Sequence, residues 1–183
     1  IIAEDLGVIT PDVREVMQHF GFPGMKLLMF AFSSDTNNVH HGAPHTYARH
    51  AVVYTGTHDN ETTLGWYLNA SEAERDHARR YMSVSGRDIV WDLIRLAYAS
   101  VSAMAVIPMQ DLFVLGNEAR MNYPGKEGGW WQWRYTREMF AARAEGIALG
   151  LTELARLYGR APEEPEEVED ETADMTGEPA QDS

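Results

Sequence analysis

The sequence predicts an α/β fold with parallel strand pairing, about half of a (β/α)₈ barrel. Apolar runs typical of buried strands alternate with helical patterns, as in parallel α/β proteins. Two of these runs end in acids, Glu4 and Asp59, and barrels carry their reactive side chains where strands end. The chain has 183 residues, whereas a complete barrel needs roughly 250.

Four apolar runs predict the strands, at residues 1–3, 25–32, 51–54 and 104–109. The second run, MKLLMFAF, is almost continuous, which is typical of a strand that is buried on both faces. The chain opens within the first run and without a methionine, so we expect it to be a fragment of a longer protein.

Local signals place the helices between these strands. Thr10 predicts an N-cap, with Pro11 at the first helical position and Gly21 closing a helix that has an apolar face. Ser71 and Glu74 have the spacing of a capping box. Two further apolar stripes predict an amphipathic helix and a long last helix, at residues 88–99 and 133–158.

Two long segments lack a strand or helix pattern and are predicted to be loops, at residues 33–49 and 116–133. Loops of this length are usually functional. Residues 1–160 are therefore predicted to form the barrel part of the chain, and residues 161–183 a separate tail.

Charge distinguishes the tail from the rest of the chain. Residues 161–183 hold ten acids and no lysine or arginine, within a formal net charge of −13. Such a segment repels itself and has little apolar surface to bury, so it predicts a disordered tail, most simply a solvated one, with an interaction tail as the alternative. The remainder carries 18 acids against 15 basic residues and is close to neutral.

Composition also excludes several classes of function. The near-neutral body has no basic footprint for nucleic acid, and no apolar run approaches the roughly 20 residues of a membrane span. The chain has no cysteine, hence no disulfide framework and no thiolate site, and no signal peptide is visible. We therefore expect a cytoplasmic protein with neither nucleic acid nor membrane as a partner.

Glu4 and Asp59 suggest chemistry on a glycosidic bond, in which one carboxyl group protonates the leaving oxygen and others face the positive sugar centre. Asp59 could also be the N-cap of the segment that starts at Asn60, and the two roles are compatible. Asp5, beside Glu4, either contacts a sugar hydroxyl or orients a loop.

Other side chains are candidates for binding. Phe30 and one of Trp130 and Trp131 could stack on sugar rings, although aromatic residues more often form core. Asn122, in the turn MNYPG, suits recognition of hydroxyl groups, or serves the turn alone. Five histidines between residues 40 and 58 invite a metal hypothesis, but their spacing in a proline-containing loop does not favour zinc, and no metal is predicted.

Five runs, taken in order, resemble the 4-α-glucanotransferase family, the amylomaltases or disproportionating enzymes of glycoside hydrolase family 77. The runs are IIAEDLG, FGFPGMKLLMFAF, YTGTHDNETT, PMQDLFVLGNEARMNYPG and WQWR. The resemblance covers about residues 1–158 and implies the fifth to eighth strands of a (β/α)₈ barrel.

The resemblance also assigns roles. It implies that Glu4 is the general acid/base, that Asp59 stabilises the transition state and that His58 hydrogen-bonds the donor sugar. The family's nucleophile is an aspartate after the fourth strand, which would lie upstream of Ile1, so the isolated chain is expected to be inactive.

The implied reaction is retaining transfer of α-1,4-glucan segments between maltooligosaccharides, without a cofactor. An α-glucan hydrolase of the same clan and a non-catalytic glucan-binding module are the alternatives. Chain-length preference and oligomeric state leave no signal in the sequence.

Overall fold

Three parallel strands organise the computed structural model, which describes residues 1–34 and 42–162. They are β1 (Gly24–Leu27), β2 (Ala51–Tyr54) and β3 (Met104–Val106), in the order β1-β2-β3. Leu27 pairs with Tyr54, and Tyr54 with Val106. The carboxyl ends of all three strands therefore meet at one edge of the sheet, as predicted for this mixed α/β chain.

β2 is the centre of the sheet, and its mainly apolar side chains suit this position. Ala51, Val52 and Val53 are all buried, which matches a strand covered on both faces. β3 differs, since its Met104 and Val106 side chains are exposed and its outer edge pairs with no strand among the described residues.

The predicted strand at residues 1–3 is not formed. A strand needs a ladder of backbone hydrogen bonds, and here a single bond of 2.9 Å joins the Ala3 amide to the Pro23 carbonyl oxygen. The chain therefore has three strands, not four, in the part that the structure describes.

Two of the predicted strands are shorter than their apolar runs. After Leu27 the second run turns into a 3₁₀ segment, Leu28–Phe32, because this turn buries Leu28, Met29 and Phe32 in the core. The last run stops at Val106, and Pro108, which has no N–H to donate to a ladder, precedes the next helix.

Seven helices connect and cover the strands in the described residues. They are α1 (Pro11–His19), α2 (Thr63–Asn69), α3 (Glu72–Met82), α4 (Ile89–Ala99), α5 (Met109–Leu112), α6 (Arg137–Ala141) and α7 (Ala144–Leu157). The amphipathic helix α4 is the most buried of them, and its Leu93 and Ile94 pack in one core cluster with Val53 and Phe32.

The start of α1 is as predicted, but its apolar face is not buried. Thr10 is the N-cap, Pro11 is the first helical residue, and Gly21 follows the helix with φ +63°. Val16 and Phe20, however, are 53% and 61% exposed.

The long last helix predicted over residues 133–158 is wrong in its extent. Residues 133–135 are irregular, Thr136 caps α6 by accepting a hydrogen bond from the Met139 amide, and α6 ends at Ala141 before α7 begins. Of the apolar side chains on the predicted inward stripe, only that of Leu154 is buried. The others are Phe140, Ile147, Leu151 and Leu157.

The predicted loop at residues 33–49 lies partly outside the described residues, which omit 35–41. Its described part contains a short 3₁₀ turn, Pro44–Thr46, where the His45 ring nitrogen Nδ1 lies 3.0 Å from the Tyr81 hydroxyl. The predicted loop at residues 116–133 is irregular apart from the 3₁₀ turn Asn117–Ala119.

The predicted capping box at the start of α3 is present, and its glutamate also bonds a residue outside the helix. The Glu74 carboxylate accepts hydrogen bonds from the Ser71 amide (2.9 Å) and hydroxyl (2.8 Å), and also from the Ser34 amide (2.7 Å) and hydroxyl (2.9 Å). These donors, the Ser34 amide above all, lower the pKa of Glu74 to about 2.

We predict that Glu74→Gln destabilises the protein at neutral pH and not in acid. The carboxylate is stabilised in the folded state, so its contribution is present above the unfolded pKa of 4.5 and is lost as pH falls towards 2. Because the group is largely solvated, we expect about 1 kcal/mol in the free energy of unfolding. Thermal melts of Glu74→Gln and of the exposed control Glu153→Gln, from pH 7 to pH 3, measure the difference. A penalty that does not shrink in acid would contradict the assignment.

Arg160 anchors the chain after α7. Its guanidinium donates to three backbone carbonyl oxygens, those of Tyr98, Ser100 and Ser102, each at 2.8 Å. The Tyr98 carbonyl belongs to the last turn of α4 and the other two to the connection between α4 and β3, so Arg160 holds the last helix against the approach to the sheet. Of the predicted tail, residues 163–183 lie outside the described residues.

We predict that Arg160 marks the end of the packed chain. Truncation after Arg160 should leave the melting temperature almost unchanged, whereas Arg160→Ala should lower it by several degrees, because three partly buried carbonyl groups lose a charged donor. Arg160→Lys should not restore stability, since an ammonium group cannot reproduce the planar fork of donors. A truncated chain that melts several degrees lower would show that the acidic tail docks on the fold.

Candidate active site

The segment between β2 and α2 forms a self-supporting turn at the carboxyl edge of the sheet. The Asn60 side-chain oxygen accepts hydrogen bonds from the Thr57 hydroxyl (2.6 Å) and amide (3.1 Å), and the Asn60 amide donates back to the Thr57 carbonyl (3.2 Å). The Asp59 amide donates to the Thr57 hydroxyl oxygen at 3.3 Å. The turn therefore holds His58 and Asp59 at its tip.

Asp59 does not cap a helix, which removes the alternative reading of this residue. The N-cap of α2 is Thr62, whose hydroxyl oxygen accepts a hydrogen bond of 3.1 Å from the Gly65 amide. The Asp59 carboxylate is 40% exposed and the neighbouring His58 ring 53% exposed, with 3.4 Å between His58 Nε2 and Asp59 Oδ1. Both groups are therefore accessible to a ligand.

A second loop, which contains Arg120 and Asn122, is hydrogen-bonded to this turn. The Asn122 amide group donates to Asp59 Oδ1 (2.5 Å), and the Asn122 backbone N–H donates to the His58 carbonyl oxygen (3.0 Å). Arg120 donates to the carbonyl oxygens of Asp59 (2.8 Å) and Asn122 (2.7 Å). These bonds fix both the backbone of the turn and the direction of the Asp59 carboxylate.

Glu4 reaches the same region from the start of the chain. The adjacent Asp5 carboxylate accepts a 2.7 Å hydrogen bond from the Met25 amide, and Gly24 leaves room for it, since a Cβ there would lie 2.6 Å from an Asp5 oxygen. Asp5 thus holds this stretch on the edge of β1 and leaves the Glu4 side chain exposed beside the sheet.

One cleft of about 620 Å³ brings four of the predicted site residues together. Its lining includes Glu4, Phe30, His58 and Asp59. The other two predicted residues lie elsewhere. Asp5 faces away from this cleft and orients its loop, whereas Asn122 stands behind Asp59 as its hydrogen-bond donor.

A second cleft of about 660 Å³ adjoins the first and shares Phe30, Asp59 and Asn60 with it. Trp130 lines this second cleft and packs against Tyr123, with ring centroids 5.7 Å apart. Trp131 instead packs on the His58 ring, with 5.0 Å between centroids, and is half exposed. Trp66 also lines the second cleft, but it belongs to the core.

Sequence reasoning missed the polar groups beneath the turn. Asp111 is 1% exposed, and its carboxylate accepts hydrogen bonds from the Thr55 hydroxyl (2.6 Å), the Thr63 hydroxyl (2.7 Å) and the Thr63 amide (2.9 Å). Burial raises the pKa of Asp111, against the opposing effect of these donors. A signal existed, because Asp111 follows an apolar run just as Glu4 and Asp59 do.

Glu61 and Asn117 form another missed contact. The Asn117 side chain donates to Glu61 at 2.6 Å and accepts from the Thr62 amide at 3.3 Å. Gly65 permits this approach, since a Cβ there would lie 2.1 Å from the Asn117 oxygen. Because 55 residues separate Thr62 from Asn117, no local pattern could have indicated the contact.

Metal and membrane signals are lacking within residues 1–34 and 42–162. No three His, Asp or Glu side chains there are grouped as metal ligands, and no helix there is long and apolar enough to cross a membrane. His40 and His41 lie outside the described residues.

The chain is similar to known proteins of one family. A family profile for the 4-alpha-glucanotransferases of glycoside hydrolase family 77 matches residues 1–139. The chain is 48% identical over 162 residues to a 4-alpha-glucanotransferase of Synechocystis, covering 87% of this chain and 31% of that protein. It is 49% identical over 142 residues to one of Thermus thermophilus, covering 73% of this chain and 28% of that protein.

Among solved structures, an amylomaltase of Streptococcus agalactiae in complex with acarbose superposes with a TM-score of 0.80 at 36% identity. The match covers 88% of this chain and 32% of that one. The chain thus spans about a third of the length of these relatives. From the family match and this superposition, we conclude that the chain belongs to the 4-alpha-glucanotransferase family, glycoside hydrolase family 77.

Proposed function

We propose that this chain supplies the acid/base and charge-stabilising side of a retaining 4-α-glucanotransferase that acts on α-1,4-glucans. The observation that carries the proposal is the shared cleft, in which Glu4 and the His58–Asp59 tip face one space at the carboxyl edge of a parallel sheet. Family membership supports the reaction class, and the geometry supports the assignment of roles.

Glu4 is proposed to move the proton. Its carboxyl group protonates the oxygen of the scissile bond as that bond to the donor sugar breaks, and it then removes a proton from the incoming 4-hydroxyl of the acceptor. An exposed side chain on the cleft wall suits a group that must meet both the leaving and the arriving oxygen. By the family resemblance the nucleophile is an aspartate outside this chain, and retention needs the two carboxyls about 5 to 5.5 Å apart.

Asp59 is proposed to face the positive charge that develops on the donor sugar. Preorganised charge is effective because it need not reorient during the reaction. The Asn122 amide and the two Arg120 bonds give Asp59 that fixed orientation, and the accessible His58 ring is placed to hydrogen-bond a sugar hydroxyl. In this proposal Asn122 acts through Asp59, in addition to the substrate contact expected from sequence.

The substrate is proposed to be a maltooligosaccharide, as both donor and acceptor. The two adjoining clefts, of about 620 Å³ and about 660 Å³, have Phe30 in common, and Trp130 lines the second of them. Flat aromatic surfaces beside carboxylate and amide groups suit a ligand with apolar ring faces and hydroxyl edges. The acarbose complex of the Streptococcus agalactiae relative supports this reading.

We also propose that residues 1–160 form the fifth to eighth strand region of a (β/α)₈ barrel. In this arrangement residues 1–3 occupy the position of the fifth strand, and β1, β2 and β3 those of the sixth, seventh and eighth. Parallel order and the carboxyl-edge position of the cleft support the assignment.

A chimera tests the activity, because this chain spans only part of its relatives. The matching segment of the Synechocystis protein is replaced by residues 1–162 of this chain, and maltotriose is supplied as sole substrate. Transfer produces glucose together with longer maltodextrins, whereas hydrolysis produces shorter sugars only. A folded chimera that forms no longer maltodextrins would contradict the proposal.

In the active chimera, Glu4→Gln should slow reaction with maltotriose by about 10²-fold to 10⁴-fold, the usual contribution of a general acid. The loss should be far smaller with an activated glycosyl fluoride, whose leaving group needs no protonation. Initial rates on the two donors measure the contrast. Equal losses on both would mean that Glu4 is not the acid.

Asn122→Asp should lower kcat by roughly 100-fold, because it replaces the donor to Asp59 by a second carboxylate and destroys the fixed orientation of the first. Steady-state rates on maltotriose measure the effect. Gln18→Glu, on the exposed surface of α1, adds the same charge far from the cleft and should leave kcat unchanged. A kcat that stays within twofold in Asn122→Asp would show that this contact is dispensable.

A further inference from the structure

Asp111 is a buried acid that the proposed reaction does not use. It lies in the short helix α5, just beyond β3, is 1% exposed and does not line either of the two clefts that contain Asp59. Its carboxylate nevertheless accepts three short hydrogen bonds, and all three come from the two ends of the segment that carries His58 and Asp59.

The two ends of that segment are Thr55, which follows β2 directly, and Thr63, which begins α2. Both are fully buried. The Thr55 hydroxyl donates to Asp111 Oδ2 at 2.6 Å, while Thr63 donates through its hydroxyl to Oδ2 at 2.7 Å and through its amide to Oδ1 at 2.9 Å. The Asp111 carboxylate therefore joins the first and the last residue of the segment 55–63. It also links both ends of that segment to the chain that follows β3.

A carboxylate suits this task because it only accepts hydrogen bonds. Three donors converge on its two oxygens, and each would be buried without a partner if the side chain were removed. All three donors are neutral groups of Thr55 and Thr63. Their relative positions depend on Asp111, because its carboxylate is the acceptor that they share. The internal bonds between Thr57 and Asn60 then carry that fixed geometry to the tip of the turn.

We propose that Asp111 is a positioning residue for the His58–Asp59 tip, acting on the reaction through Asp59 without touching the substrate. The inference rests on the proposed function, since it assigns Asp59 a role in the transition state. It adds to that function a second carboxylate that the reaction requires. This carboxylate follows β3 and lies beneath the reacting groups.

The test uses the chimera and four variants. Asp111→Ala removes the acceptor, whereas Asp111→Asn keeps a planar head whose oxygen still accepts from the Thr63 amide. Thr55→Val removes one donor without changing the side-chain shape. Val90→Ala is the control, because Val90 is buried in α4 and its truncation weakens the core while leaving all three hydrogen bonds to Asp111 in place.

Asp111→Ala should lower kcat on maltotriose about 30-fold, a part of the roughly 100-fold that a misplacement near 1 Å costs, with KM changed by less than about threefold. Asp111→Asn should recover most of the loss, and Thr55→Val should lose about threefold to fivefold. Val90→Ala should lower the melting temperature and keep kcat within twofold. A loss of kcat in Asp111→Ala no greater than in Val90→Ala would overturn the inference, and if Asp111→Ala does not fold, Thr55→Val decides in the same way.

A double-mutant cycle then separates positioning from general stability. With an activated glycosyl fluoride as donor, Asp111→Ala should slow the Asp59→Asn enzyme by less than about threefold, because residues that act through one another are not additive. A full 30-fold further loss in that background would contradict action through Asp59.

Failure of the proposed function has a different signature. If the unmodified chimera folds but does not transfer, the function is wrong, and amide hydrogen exchange of residues 56–60 still tests the positioning. Faster exchange in Asp111→Ala than in Val90→Ala would support it, and equal exchange would overturn it.

Discussion

Parallel pairing of β2 with both of its neighbours is the constraint on which the site depends. The register that joins Leu27, Tyr54 and Val106 brings the segments after all three strands to one edge. Phe30, the His58–Asp59 tip and Asp111 each follow a different strand, and only this register places them within one neighbourhood. A slip by one residue would turn the following side chains to the opposite face of the sheet.

The site has two layers with different physical requirements. The outer layer, with Glu4, His58 and Asp59, is accessible to solvent and hence to a ligand in the cleft. The inner layer, with Asp111 and Thr55, is buried, and its polar atoms are bonded to one another. Hydrogen bonds are stronger and unpaired groups more costly in such an interior, so the inner layer orients the outer one.

The contacts that orient Asp59 come from well beyond its own loop. Asn122 is 63 residues away along the chain and Arg120 is 61 residues away, yet together they bond the side chain and backbone of this one residue. The two adjoining clefts share Asp59, so these distant contacts orient a carboxylate that is open to both of them.

What the sequence by itself determined were features whose cause is local. The capping box of Ser71 and Glu74 and the start of α1 at Pro11 depend on neighbours within four residues, and β2 follows from its own apolar, β-branched run. The acids after apolar runs also pointed to Glu4 and Asp59, which the structure places in one cleft.

Only the tertiary structure decided the features that depend on distant partners. Residues 1–3 have a strand-like composition but make a single bond to Pro23, because pairing, not propensity, creates a strand. The 3₁₀ turn at Leu28–Phe32 forms because it buries the side chains of Leu28, Met29 and Phe32 in the core. The sequence did not indicate the role of Asp111 for the same reason. Its hydrogen-bond donors are two threonines 56 and 48 residues away, and they reach the carboxylate only when the chain is folded.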